Sequence, residues 1–127
     1  MNISITVKRA GLLAAAAATL IAAAPGSASA TVSNGMKLAP GGILCVSQYA
    51  GYQVRGEGTA TNQGAFFTIE SGGVVRASSS TATALSFGTE LRSGINFPGR
   101  NTYKVCAYNF QNTNTNVTVI IRTDSDF

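Results

Sequence analysis

The chain has 127 residues, with nine Lys and Arg against five Asp and Glu, two Cys, no Trp and no His, and a net charge of +4. That length allows one small domain. The missing His excludes Ser-His-Asp and Cys-His nucleophile systems and His-containing zinc sites, and two Cys cannot form a four-thiolate metal site. Nothing reads as a Walker A loop or a dinucleotide fingerprint.

The first element predicted is an export signal. Lys8 and Arg9 precede an apolar, alanine-rich run over Leu12–Ala24. Pro25 and Gly26 break the run, and Ala28-Ser29-Ala30 forms a small-residue cleavage site. The pattern predicts a secretory signal peptide over residues 1–30, cut after Ala30 and followed by a domain over 31–127. The apolar run is short of the roughly 20 residues a membrane-spanning helix needs. The alanine-rich style suits a bacterium. Lys8 and Arg9 account for half of the net charge, and the remaining bases are scattered, so no nucleic-acid partner is expected. No second hydrophobic stretch follows, so no transmembrane segment is expected in the mature chain.

Beyond Ala30 the chain is rich in Ser, Thr, Asn and Gly, poor helix material and good strand and turn material. Short strands separated by turns are predicted in order. Lys37–Gly42 turns into a strand over Ile43–Gln48. Tyr52–Thr59 alternates, with Tyr52, Val54, Gly56 and Gly58 on one face and Gln53, Arg55, Glu57 and Thr59 on the other. Asn62-Gln63-Gly64 leads into Ala65–Glu70, and Ser71-Gly72-Gly73 marks a hairpin before Val74–Ala77. Strands follow over Thr83–Arg92, Thr102–Phe110 and Asn116–Thr123. In the last of these, Val117, Val119 and Ile121 face one way while Asn116, Thr118 and Arg122 face the other. The last two strands are expected to pair. The whole predicts an all-β, single antiparallel β-sandwich, jelly-roll or immunoglobulin-like, of about seven to eight short strands.

Cys45 and Cys106, the only cysteines, are expected to form a disulfide in an oxidising compartment, the alternatives being two inert buried thiols or an intermolecular bridge. A loop of this length gives roughly 4 kcal/mol in the chain-entropy description. The bridge would tie an early strand to a late one, either between sheets or between adjacent strands.

The segment Phe97-Pro98-Gly99-Arg100-Asn101-Thr102-Tyr103-Lys104-Val105-Cys106, with the final Val117-Thr118-Val119, resembles the ending of pre-peptidase C-terminal-type β-sandwich domains. The Leu38-Ala39-Pro40-Gly41-Gly42 turn is similar to the entry into an early strand of such domains. The resemblance covers about a third of the segment after Ala30. It implies a sandwich fold, and fold does not imply function. Those domains are usually appended to secreted hydrolases, and the sequence here carries none. The chain also resembles small secreted β-sandwich proteins of actinobacteria.

Four chemistries are open to such a domain. Paired carboxylates come first. Glu57 lies two residues from Arg55 and Glu90 two from Arg92, so both read as surface ion pairs rather than as a catalytic pair. Asp124-Ser125-Asp126 offers too few ligands for calcium and reads as a polar, solvated tail. No metal and no cofactor are expected. Exposed aromatics beside Gln and Arg suit a sugar, whose C–H faces stack on rings. Tyr49, Tyr52, Gln53 and Arg55 cluster in sequence and are the candidate ligand-binding residues. Tyr equally packs in a core with its hydroxyl at the edge. Finally, the loops Ser93–Arg100 and Gln111–Asn116 could present a rigid surface to a foreign enzyme.

The sequence therefore predicts a secreted, extracellular, non-enzymatic binding or structural module for a cell-surface polymer or a protein, the glycan and protein partners both standing open. The second reading is a secreted inhibitor or effector acting on another organism's enzyme. A glycan module predicts a row of exposed Tyr beside Gln53 and Arg55. A structural protein predicts a long bare strand edge.

Overall fold

A computed structural model describes residues 31–127. The export signal expected over residues 1–30 lies outside the described residues. Eight strands run in chain order: β1 (Thr31–Leu38), β2 (Ile43–Ala50), β3 (Gln53–Ala60), β4 (Phe66–Ser71), β5 (Val74–Ser78), β6 (Ser86–Arg92), β7 (Asn101–Tyr108) and β8 (Thr115–Thr123). They form two four-stranded antiparallel sheets, β1-β8-β3-β6 and β2-β7-β4-β5. This is the expected all-β sandwich. The chain crosses between sheets at every connection but one, the β4–β5 hairpin at Ser71-Gly72-Gly73. That order is the double Greek key of a jelly roll.

Alternation builds the core. Along β8, Val117, Val119 and Ile121 are buried while their neighbours face outward. Leu44 and Val46 on β2, and Tyr103, Val105 and Ala107 on β7, do the same for the second sheet. Tyr103 is fully buried; its hydroxyl donates to Gly99 O at 2.6 Å and its ring lies 5.4 Å from Phe97. Burial pushes the Tyr103 hydroxyl pKa above its ordinary value.

The inward positions of β3 that the sequence leaves to Gly56 and Gly58 are filled from across the sandwich. A Cβ on Gly58 would stand 2.4 Å from Phe67 Cε1, and one on Gly56 would stand 2.8 Å from Ile69 Cγ1. Phe67 stacks at 5.7 Å on Phe87 of β6. The second sheet's largest aliphatic and aromatic side chains thus lie on bare β3 backbone.

Two expectations need correction. The Thr102–Phe110 and Asn116–Thr123 strands do not pair: β7 and β8 lie in different sheets, and the Gln111–Asn116 segment crosses between them. A loop of this length can close a hairpin or cross between sheets. Residues 31–38, not predicted as a strand, form β1, an edge strand exposed along most of its length. Asn34 interrupts the alternation of Val32, Met36 and Leu38, so the strand pattern is weak.

Cys45 and Cys106 sit opposite each other in the β2–β7 register with Cα atoms 4.1 Å apart, and are disulfide-bonded. The bridge joins adjacent strands of one sheet. Its position follows from strand parity. Leu44, Val46, Val105 and Ala107 point into the core, so both cysteines point out of it.

The glycine packing yields a paired expectation. Gly58→Ala should destabilise by about 1–3 kcal/mol, because Phe67 must leave its place. Gly88→Ala, where a Cβ meets nothing within 4 Å, should be neutral or stabilising by about 0.5 kcal/mol. The urea midpoint should therefore fall in Gly58→Ala and stay level or rise in Gly88→Ala.

Candidate functional site

Each sheet has an outward face, and register fixes what each face carries. On the β1-β8-β3-β6 sheet, one row runs Thr31, Arg122, Arg55, Glu90, and the next Ser33, Ile120, Glu57, Gly88. The charges close into a ladder. Arg55 Nε lies 2.6 Å from Glu57, an ion contact without hydrogen-bond alignment. Arg55 Nη1 lies 2.7 Å from Glu90, Arg92 Nε 2.7 Å from Glu90, and Arg122 Nε 3.4 Å from Glu57. The Arg92 guanidinium also stands 5.0 Å above the Phe127 ring. Hydrogen bonding from Arg92, with the charges of Arg92 and Arg55, holds Glu90 below the ordinary carboxylate range. The expected Arg55–Glu57 and Arg92–Glu90 pairs are both present, joined across strands. Beside the ladder lies a shallow depression of about 300 Å³, bordered by Glu57, Thr59, Ser86, Gly88 and Thr118. Gly88 opens it by leaving the place opposite Glu57 without a side chain.

The β2-β7-β4-β5 sheet presents a different surface. Its first outward row is Ile43, Tyr108, Phe66; the second is Cys45, Cys106, Thr68, Ser78; the third is Ser47, Lys104, Glu70, Val75. Phe110, two residues past the end of β7, completes an aromatic trio. Its ring centroid lies 5.8 Å from Phe66 and 5.7 Å from Tyr108, and Phe66 lies 6.3 Å from Tyr108. Ile43 is 56% and Phe110 63% exposed. The disulfide row separates this apolar end from the polar one. Glu70 binds across it: its Oε2 accepts from the Thr68 hydroxyl at 2.6 Å and from the Tyr108 hydroxyl, and Lys104 Nζ stands 4.0 Å from Oε1. Partial burial pushes the Glu70 carboxyl up, but the two hydroxyls and the Lys104 ammonium together bring it below its ordinary value. Burial and the Glu70 carboxylate push the Tyr108 hydroxyl the other way, upward.

Asn109 holds this platform in place. It is fully buried; its side-chain amide donates to Leu38 O at 3.0 Å and Thr113 O at 2.8 Å and accepts from Gln111 N at 2.9 Å. Its backbone N–H donates to Gly42 O, and its carbonyl accepts from Gly41 N. The segment that carries Phe110 is therefore tied to the β1–β2 turn on one side and the β7–β8 crossing on the other.

The four residues singled out in the sequence do not share a surface. Tyr49 lies on β2 opposite Thr102, on the parity of the disulfide and so on the outward face of the second sheet. Gln53 and Arg55 lie on β3, outward on the first sheet, and Arg55 is held between Glu57 and Glu90. Tyr52 is exposed in the turn between the two sheets. Closeness in sequence spans a crossover here, so it does not become a row of side chains.

Asp124 has a structural role that its place in the C-terminal segment hid. It is 8% exposed with φ of 56°, and its carboxylate accepts from Gly51 N at 3.0 Å and Tyr52 N at 2.9 Å, with Gln53 N at 3.4 Å. The Gln53 side-chain amide donates back to Asp124 O. The expected solvated tail is therefore a cap on the β2–β3 turn. Three successive N–H groups need an acceptor there, and one carboxylate serves them all.

Two consequences are measurable. Asp124→Ala leaves the turn donors unserved and should cost about 1–3 kcal/mol in urea unfolding. Because the folded Glu70 carboxyl sits below its ordinary value of 4.5, its contribution is complete above the carboxylate range and is lost as pH falls through the folded value. Tyr108→Phe keeps the ring and removes one hydroxyl, so its unfolding midpoint should fall less than that of the parent between about pH 6 and pH 2. No protein-family model and no curated protein sequence matches this chain.

Proposed function

We propose that this is an exported, non-catalytic module that binds an extracellular polysaccharide through the outward face of the β2-β7-β4-β5 sheet. The carrying observation is the trio Phe66, Tyr108 and Phe110 with Ile43, an apolar row in which Ile43 and Phe110 are exposed and Phe66 and Tyr108 half-buried, beside ordered hydroxyl, carboxylate and ammonium groups. Sugar rings offer C–H faces to flat aromatics and hydroxyls to Ser47, Glu70 and Lys104 of the third outward row, so one face meets both kinds of surface. A disulfide beneath the site and a domain made only of strands suit an oxidising exterior.

The acids support a non-catalytic reading. Glu57 and Glu90 are engaged in the arginine ladder, Glu70 by Thr68 and Tyr108, Asp124 by the β2–β3 turn, and Asp126 by Thr31. None faces a second carboxylate across an open cleft, the arrangement that glycoside hydrolysis uses.

One observation favours the second reading, an inhibitor or effector directed at a foreign protein. Ile95, 79% exposed, crowns the β6–β7 connection. That connection is ordered by three N–H groups, of Ile95, Asn96 and Phe97, converging on Arg92 O, and by Asn96 accepting from Arg92 N at 2.8 Å.

Sedimentation with insoluble chitin, cellulose and peptidoglycan separates these readings. Phe110→Ala should weaken polymer binding by about tenfold, the effect of losing a central aromatic contact. Tyr52→Ala/Arg55→Ala, on the turn and the opposite sheet, should leave it unchanged. Binding lost only in the second variant would move the site to the other sheet. Absence of binding to every polymer, with inhibition of a secreted hydrolase lost in Ile95→Asp, would replace the proposal by the second reading.

A further inference from the structure

The two flanks of the sandwich are built differently. Its two sheets end on one side in β6 and β5, and on the other in β1 and β2, which lie against each other. The first flank is guarded. β5 has five residues, carries Arg76 and meets β4 through a bulge at Ile69/Glu70; β6 carries Glu90 and Arg92. Such devices stop one sheet from adding to another. The second flank has two eight-residue strands with no proline, no bulge and a single charged side chain, Lys37. Met36 is 51% exposed on it.

We infer that the β1 edge pairs with β1 of a second copy of this chain, joining two sandwiches edge to edge. Three features select a second copy as the occupant. The Gly35 N–H is held by the Asn34 side chain at 2.8 Å, which places it on the free side of the strand. By the alternation of antiparallel ladders, the N–H groups of Thr31, Ser33 and Lys37 face the same way. An antiparallel register centred on Asn34 then exchanges backbone bonds between Thr31 and Lys37 and between Ser33 and Gly35 of the two copies, each pair made twice.

The same register is self-complementary in side chains. Val32 comes opposite Met36, so the exposed thioether is covered by an apolar neighbour on the same face. Lys37 comes opposite Thr31, whose hydroxyl is hydrogen-bonded to Asp126. The Lys37 ammonium therefore approaches the Asp126 carboxylate of the other copy, and symmetry makes this contact twice. Asn34 pairs with itself on the dyad, and its amide must release Gly35 N for the ladder to close, so each edge is plugged by its own side chain until a partner arrives.

A dyad of this kind stands perpendicular to the sheets. It therefore leaves the aromatic faces of both copies pointing in one direction, a bivalent surface for a repeating polymer. The pairing itself needs no ligand and is tested without one.

The test is sedimentation velocity on the protein purified from the medium of a secreting host, over rising concentration. A dimer is expected, dissociating in the range of about 1–100 μM. Lys37→Glu should weaken it by about tenfold by setting two carboxylates together, and Lys37→Glu/Asp126→Lys should restore it. Ser33→Pro removes an N–H that the monomer does not use, so it should abolish the dimer while keeping a cooperative thermal transition. If that variant fails to fold, the charge swap still decides. A monomer up to about 1 mM, or a dimer indifferent to the Lys37 and Ser33 variants, would overturn the inference.

Discussion

The two sheets meet where Phe67 and Ile69 of β4 press onto the bare backbone of Gly58 and Gly56 in β3. Side chains in both places would set the sheets apart or displace the aromatic ring. With none, the ring of Phe67 reaches past β3 to stack on Phe87, and one large residue fills what two medium ones otherwise share. The interior of so small a domain is limited, so close packing at its centre matters more than its extent. The choice has an outward consequence. Inside, β3 contributes only the Val54 side chain to the buried core; outside, the ion ladder runs through Arg55 and Glu57 to β6 and β8.

The polar groups that fix the loops are few and buried. Asp124 serves the N–H groups of one sheet crossing, and Asn109 ties another to the β1–β2 turn. Each replaces the water that a surface loop would use, and each therefore makes a crossing rigid. For Asn109 this rigidity is transmitted to Phe110, its neighbour in the chain, which stands exposed against Tyr108 and Phe66. A ring held in this way loses little freedom when something stacks on it, so more of the contact energy remains as affinity.

The sequence carried the interior of this fold plainly and its surfaces poorly. Val117, Val119 and Ile121 alternate cleanly because β8 has sheet on both sides and core beneath. The two cysteines had only each other. β1 lacked such a signal because an edge strand at the rim of a sandwich buries little. The β7–β8 connection misled because a six-residue loop can close a hairpin or cross to the other sheet, and local sequence does not distinguish them. The proposed binding face failed to appear for a related reason. Ile43, Phe66, Tyr108 and Phe110 lie on three strands and a loop, gathered only by register, whereas Tyr49, Tyr52, Gln53 and Arg55 are neighbours in the chain divided by a crossover. Asp124 gave no sign because its partners are backbone N–H groups, which every sequence has.

Comparison of the two outward faces bears on why the aromatic row exists at all. The corresponding end of the first sheet is made of Gly35, Thr118, Thr59 and Ser86, and the sheet is complete there. A strand end in this sandwich therefore needs no aromatic side chain outside. Placing Ile43 and Phe110 in water keeps apolar area exposed at a cost of roughly 25 cal/mol for each Å² left uncovered, and nothing in the interior recovers it. Mutual contact among Phe66, Tyr108 and Phe110 offsets part of that cost, yet it leaves Phe110 mostly open. Exposed apolar rows of this kind mark surfaces that are covered in use. The Ser47 hydroxyl, Glu70 carboxylate and Lys104 ammonium beyond the disulfide fit the proposed occupant: a ligand with an apolar face beside hydroxyls, presented on a surface the domain can lie against.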